Sequence, residues 1–65
     1  MNLAEGIPIE QARVREALTH YVEIGPAGFF GAMMIENSLR QADKAVISGD
    51  VGSMIAAYQD LKSIK

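Results

Sequence analysis

Two glycine-led breaks, Gly25-Pro26 and Gly49-Asp50, divide the chain into three stretches that each repeat apolar residues with the period of an α-helix. Glycine suits the left-handed position that ends a helix, proline suits the first helical turn, and aspartate is a favoured N-cap. Neither strand-like alternation nor an Asn-Gly or Asp-Gly hairpin turn is present in the sequence. The sequence therefore predicts an all-α fold of three helices joined by tight turns.

The bounds of the helices follow from their end signals. Residues 1–7 show no periodicity, so we expect a loose tail there and predict Pro8 as the first helical residue. The three helices form a hairpin-type bundle in this prediction, with the second helix as the long central element. The single predicted domain, residues 1–65, has its helices at about 8–24, 27–48 and 51–63.

Each predicted helix carries one apolar stripe, and the three stripes are expected to meet in a common core. On the second helix the stripe follows two heptads of the spacing typical of packed helices. The stripes are Glu10, Val14, Ala17, Tyr21 and Ile24, widened by Leu18 and Val22, on the first helix; Ala32, Ile35, Leu39, Ala42 and Val46 on the second; and Val51, Met54, Ile55, Tyr58 and Leu61 on the third.

Residues 25–35 depart from the stripe pattern, because apolar side chains point in nearly every direction around the helix. Gly28, Gly31 and Ala32 lower the helix propensity but allow a backbone or an aromatic ring to approach closely. Two interpretations stay open for the large side chains of this segment: core packing against the first and third helices, or an interface with a second molecule. These candidate interface residues are Phe29, Phe30, Met33 and Met34.

Tyr21 and Tyr58 lie on the apolar stripes of the first and third helices. They are predicted either as core residues with their hydroxyl groups at the rim, or as further contacts of the same interface. A chain of 65 residues without cysteine has no disulfide or thiolate metal site to support a small core. Self-association is the remaining support, and we expect a homodimer with a two-fold axis.

The sequence lacks the parts of a recognisable active site, so we predict a protein that is not an enzyme and has no cofactor or metal. His20 has Glu16 and Glu23 nearby on the same helix, but zinc needs three or four ligands and prefers nitrogen and sulfur donors. The serines have no evident base partner, and no phosphate-binding glycine loop of the Walker type is present. These serines are Ser38, Ser48, Ser53 and Ser63.

Nucleic acid is the alternative partner, and the charge balance argues against it. The formal net charge is −2, so no broad positive field faces a phosphate backbone. The first two turns of the third helix, residues 51–58, hold no Arg, Lys, Asn or Gln with which to read base edges. The alternative requires a dimer whose symmetry gathers four basic residues, Arg13, Arg15, Arg40 and Lys44, on one surface.

No membrane or export signal is expected in this sequence. The longest apolar stretch, residues 26–35, is about half the roughly 20 residues that span a bilayer. The first six residues contain no basic residue and no apolar run of the kind that follows the start of a secretory signal. By elimination, we expect a cytoplasmic protein with no membrane partner.

The run Tyr21-Val-Glu-Ile-Gly-Pro-Ala-Gly-Phe-Phe-Gly-Ala-Met-Met-Ile35, followed by Ser48-Gly-Asp50 and Met54-Ile-Ala-Ala-Tyr58, resembles small uncharacterised proteins encoded by temperate phages and prophages, including lambdoid ones. The resemblance covers most of the chain and brings no catalytic residue with it. It implies an early-region factor that acts in the host cytoplasm by binding host or phage proteins during the decision between lysis and lysogeny. Residues and resemblance together predict a non-enzymatic, protein-binding regulatory module.

Overall fold

The structure, a computed structural model, describes residues 2–64, and over that range it contains helices and turns but no strand. Helix α1 (Leu3–Ile24) leads through a 3₁₀ turn (Gly25–Gly28) directly into helix α2 (Phe29–Ser48). Helix α3 (Val51–Ser63) follows after Gly49 and Asp50. The predicted all-α class is confirmed.

The predicted loose tail and the predicted start at Pro8 are wrong for residues 3–7, because α1 begins at Leu3. Asn2 caps this end: its Oδ1 accepts a hydrogen bond from the backbone N–H of Glu5 at 3.0 Å. Ile7 is completely buried in the core, which adds a reason for the first turns to be ordered. Pro8 is thus the sixth residue of the helix, where its ring is exposed. Met1 lies outside the described residues.

The corner between α1 and α2 differs in detail from the predicted start at residue 27. Gly25 ends α1 with φ +82°, in a region that side chains rarely enter, and its N–H donates to the carbonyl of Val22. Pro26 is the second residue of the 3₁₀ turn, and α2 starts at Phe29. As a result α1 has 22 residues and α2 has 20, so the second helix is not the longest.

The turn between α2 and α3 agrees with the prediction from its residues. Gly49 is left-handed with φ +69°, and its N–H donates to the carbonyl of Ala45. Asp50 is the N-cap of α3, since Oδ2 accepts from the backbone N–H of Ser53 at 2.9 Å and from its Oγ at 2.7 Å. Helix α3 has the predicted bounds, residues 51–63.

The cap at Asp50 gives a pH-dependent prediction. The hydrogen bond from the Ser53 hydroxyl, and then that from its N–H, hold the pKa of the Asp50 carboxyl below its usual value. A lowered pKa in the folded state means that the charged cap stabilises α3 above about pH 4 and that this stabilisation is lost as the pH falls through the folded pKa. At neutral pH we expect Asp50→Ala to lower the melting temperature.

The measurement is thermal unfolding followed by circular dichroism from pH 7 down to about pH 2. The difference in melting temperature between the wild type and Asp50→Ala should shrink over the acid part of this range. Asp50→Asn is the matched control, because an amide oxygen caps a helix without titrating and its difference from Asp50→Ala should persist in acid. A constant difference between wild type and Asp50→Ala at every pH would contradict the prediction.

The core lies between the three helices, each of which contacts the other two. Ile7, Val14 and Leu61 are its largest fully buried side chains. Ala32, Ile35, Leu39, Ala42, Ala45 and Ala57 complete it, with Leu3, Leu18, Tyr21, Met54, Tyr58 and Ile64 partly buried at its edge.

The predicted stripes are wider than the core. Five residues of those stripes are exposed, so the neighbouring helices cover only part of each stripe. The corrected residues are Val22, Ile24, Val46, Val51 and Ile55.

Polar contacts connect α1 with both other helices. Gln11, the only buried polar residue among residues 2–64, donates from Nε2 to Oδ1 of Asp43 on α2 at 2.7 Å. Arg13 donates from Nη2 to the backbone carbonyl of Leu61 at 2.8 Å, in the last turn of α3, and the same carbonyl accepts from the backbone N–H of Ile64 at 3.1 Å. Its Nε also pairs with Glu10 at 3.0 Å. Hydrogen bonds thus join α1 to both α2 and α3.

Candidate interaction surface

The large apolar side chains at the start of α2 face outward, which decides against their interpretation as core residues. Phe29 and Phe30 are 65% and 74% exposed, and Met33 and Met34 are 51% and 58% exposed. Val22 and Ile24, at the end of α1, are exposed to a similar extent. We call these six residues the apical surface, since they lie beside the α1–α2 corner of an elongated molecule of 36 × 18 × 16 Å.

Two glycines explain how α1 packs against this part of α2 without covering its outer face. A methyl group on Gly31 would lie 2.6 Å from Cδ1 and Cε1 of the Tyr21 ring, closer than carbon atoms can approach. A methyl group on Gly28 would overlap the backbone carbonyl of Tyr21. The close approach predicted for the small residues is therefore made by Tyr21 of α1, which leaves the Phe and Met side chains in solvent.

An apolar groove opens at the corner beside these side chains. It has a volume of about 510 Å³. Among its lining side chains, the hydroxyl of Tyr21 is the one polar group, so the groove cannot hold a charged or strongly polar ligand without cost. The lining residues are Tyr21, Val22, Gly25, Pro26, Phe29 and Ala32.

The two tyrosines of the predicted site are separated by the fold. Tyr21 is half-buried, packs on Gly31 and lines the groove. Tyr58 packs at the edge of the core and lies 5.6 Å from Nζ of Lys62, measured to the ring centre, without lining the groove. The sequence pattern assigns Val22 and Ile24 to the apolar stripe of the first helix, but both are exposed. Their place within three residues of Gly25, where α1 ends, is the sequence signal that could have identified them.

His20, Glu16 and Glu23 are all exposed on α1. Within residues 2–64, no three His, Cys, Asp or Glu side chains are close enough together to hold a metal ion. Three of the four serines instead form local hydrogen bonds. Ser48 donates to the carbonyl of Ala45, Ser53 donates to Asp50, and Ser63 donates to the carbonyl of Asp60.

The four basic residues of the nucleic-acid alternative have different environments. Arg13 is engaged by Glu10 and by the carbonyl of Leu61. Arg15 has Nη2 3.9 Å from Oδ1 of Asp43, a weak exposed ion pair. Arg40 and Lys44 lie on the exposed side of α2. Two of the four guanidinium and ammonium groups thus already face acceptors within the chain.

A second depression, of about 460 Å³, lies between α2 and α3. Ala45, Ala56 and Ala57 are its apolar lining residues, and its other lining residues are polar. Those polar residues are Gln41, Lys44, Ser48, Ser53 and Asp60. It is therefore less apolar than the groove at the corner and is separate from the apical surface.

None of the helices described in residues 2–64 has both the length and the apolar character needed to cross a bilayer. Comparisons with protein-family models, with curated proteins and with solved structures find no match to this chain.

Proposed function

We propose that this chain is a non-enzymatic module that binds protein through its apical surface and thereby regulates its partner. In this proposal α1, α2 and α3 form a three-helix bundle whose role is to present that surface. The observation that supports this proposal most is that Phe29, Phe30, Met33 and Met34 are exposed close together on α2. Contiguous exposed apolar side chains of this size are typical of protein-binding sites, and methionine adapts its shape to a partner.

The resemblance to small temperate-phage proteins supplies a biological setting for the proposal. In that setting the partner is a host or phage protein, and the module acts in the host cytoplasm on the choice between lysis and lysogeny. A groove lined almost entirely by apolar groups agrees with a protein side chain as the ligand. The basic residues do not favour the nucleic-acid alternative, because Arg13 and Arg15 already contact acceptors within the chain.

The test compares Phe30→Asp with the matched variant Ile47→Asp. Both side chains lie on α2 and are largely exposed, 74% and 85%, so neither aspartate should unfold the chain. After formaldehyde cross-linking in cells that produce the protein, the wild type should appear in discrete adducts with itself or with another protein. Phe30→Asp should lose these adducts, because a charge placed in an apolar contact must be desolvated, and Ile47→Asp should keep them.

Circular dichroism of both purified variants is the control that each retains its helices. Adducts that survive Phe30→Asp, or a wild type that forms none, would overturn the proposal. Loss of adducts in both variants would mean that the effect of Phe30→Asp is not specific to the apical surface. That result would also contradict the proposal.

A further inference from the structure

We propose that a second copy of this chain covers the apical surface in a two-fold contact that places Phe30 of each copy in the groove of the other. This inference rests on the proposed function and names the partner. It goes beyond the expected homodimer by assigning a projecting residue and a receiving groove. The receiving groove is the one lined by Tyr21, Val22, Gly25, Pro26, Phe29 and Ala32.

The size of the apical surface fits a dimer contact. A fully covered aromatic side chain buries about 150–250 Å², and valine, isoleucine and methionine side chains are at or somewhat below the lower end of that range. The six side chains, two of them aromatic and all exposed by half to three quarters, therefore offer on the order of 700 Å² per copy. A standard stable interface takes about 800 Å² from each partner. Covering the apical surface and its immediate border therefore provides the area that a specific dimer needs.

The surface is also complementary to itself. It combines projecting aromatic side chains with a hollow of about 510 Å³ that has apolar walls. A benzene molecule occupies an apolar cavity of about 150 Å³, so the groove has room for a phenyl ring together with part of its backbone. Phe30 is the most exposed aromatic side chain, and in a two-fold contact each projection meets the other copy's hollow.

The charged residues near the apical surface are all of one sign, so they cannot pair with each other across a dimer contact. Residues 16–39 contain three glutamates and no lysine or arginine. These residues therefore offer no lysine or arginine that could pair with a glutamate of the other copy, and the shape of the surface must specify the contact. For this reason the test asks whether one particular projection fits one particular groove.

The experiment uses two single variants and one double variant of the full chain. Phe30→Ala removes the projection, and Val22→Glu places a charge in the groove; both residues are exposed, so the separate chains should stay folded. We expect each single variant to weaken homodimerisation by about 100-fold or more, the size of effect found for aromatic residues at the centre of interfaces. Sedimentation equilibrium of each variant and of the wild type measures this.

Mixing then tests the pairing. In a 1:1 mixture of Phe30→Ala with Val22→Glu, Phe30 of the second variant meets the intact groove of the first, so one of two contacts is complete. In a mixture of the wild type with the double variant Phe30→Ala/Val22→Glu, the same two substitutions are present but neither contact is complete. Native mass spectrometry separates these chains by mass. We expect the dissociation constant of the heterodimer, obtained after the homodimers in each mixture are counted, to be at least about 10-fold lower in the first mixture than in the second.

Equal dissociation constants of the heterodimer in the two mixtures would overturn the inference, because the strength of non-specific apolar adhesion does not depend on how the substitutions are distributed. A wild type that stays monomeric at the highest concentration reached would overturn it as well. In that case adducts with another protein in the cross-linking experiment would leave the proposed function standing. Absence of every adduct would remove both.

Discussion

Replacing Ile7 with alanine is expected to lower the free energy of unfolding by about 2–5 kcal/mol. The Ile7 side chain is completely buried in the cluster formed with Val14 and Leu61, so its removal loses apolar burial and leaves a cavity. A chain of this length has roughly 3–10 kcal/mol of stability in all. The variant should therefore lose much of its folded population.

Ile9→Ala is the matched control, because Ile9 lies on the same turn of α1 and is 54% exposed. It removes the same atoms but creates no cavity, and we expect a loss below about 1 kcal/mol. Urea unfolding followed by circular dichroism, at one fixed protein concentration, measures both variants. Equal small losses would mean that residues 3–7 do form a loose tail, as the sequence predicts, and would contradict their place in α1.

The start of α1 is the part of the fold that the sequence predicts incorrectly. Pro8 is a strong signal for a helix start, and it outweighed the weaker signal of Asn2, whose side chain caps the helix three residues before Glu5. The burial of Ile7 against the other helices stabilises the first turns of α1. This is a tertiary contact, and the pattern of residues 1–7 alone cannot reveal it. The glycine turns were predictable because Gly25 and Gly49 act locally through their backbone conformations.

The candidate surface was predictable in part for a similar reason. The sequence singled out Phe29, Phe30, Met33 and Met34 because apolar residues surround the helix there, but it left core and interface open. The choice depends on which side of α2 receives α1. Gly28 and Gly31 favour the observed side, since a side chain at either position would collide with Tyr21 as it is placed. Tyr58 and Tyr21 both lie on predicted apolar stripes, but only Tyr21 lines the groove. The spacing of apolar residues does not distinguish the two.

The second large effect is expected from Gly28→Ala, which should lower the free energy of unfolding by about 1–3 kcal/mol. The added methyl group would overlap the backbone carbonyl of Tyr21, and a backbone cannot turn aside as a side chain can. The backbone of Gly28 has φ −93°, which alanine tolerates, so the cost is steric and not conformational. Urea unfolding of the purified variant measures it.

Gly52→Ala is the matched control, because the nearest atom to its added methyl group would be Oδ2 of Asp50 at an ordinary 3.6 Å. In a helix, alanine in place of glycine should raise the free energy of unfolding by about 0.5–1 kcal/mol. The two substitutions are chemically identical, so opposite signs would isolate the packing at the corner. A Gly28→Ala variant as stable as Gly52→Ala would mean that α1 and α2 do not meet at this glycine.

The same variant connects packing with the proposed binding surface. Gly28 is not part of the apical surface, yet it sets the distance between the end of α1, which carries Val22, and the start of α2, which carries Phe29. Separating these two helices changes the shape of the groove between them without replacing any apical side chain. If the groove receives Phe30 of a second copy, Gly28→Ala should weaken the dimer under conditions where its helices remain folded. Unchanged dimerisation would show that the contact depends on the projecting side chains alone.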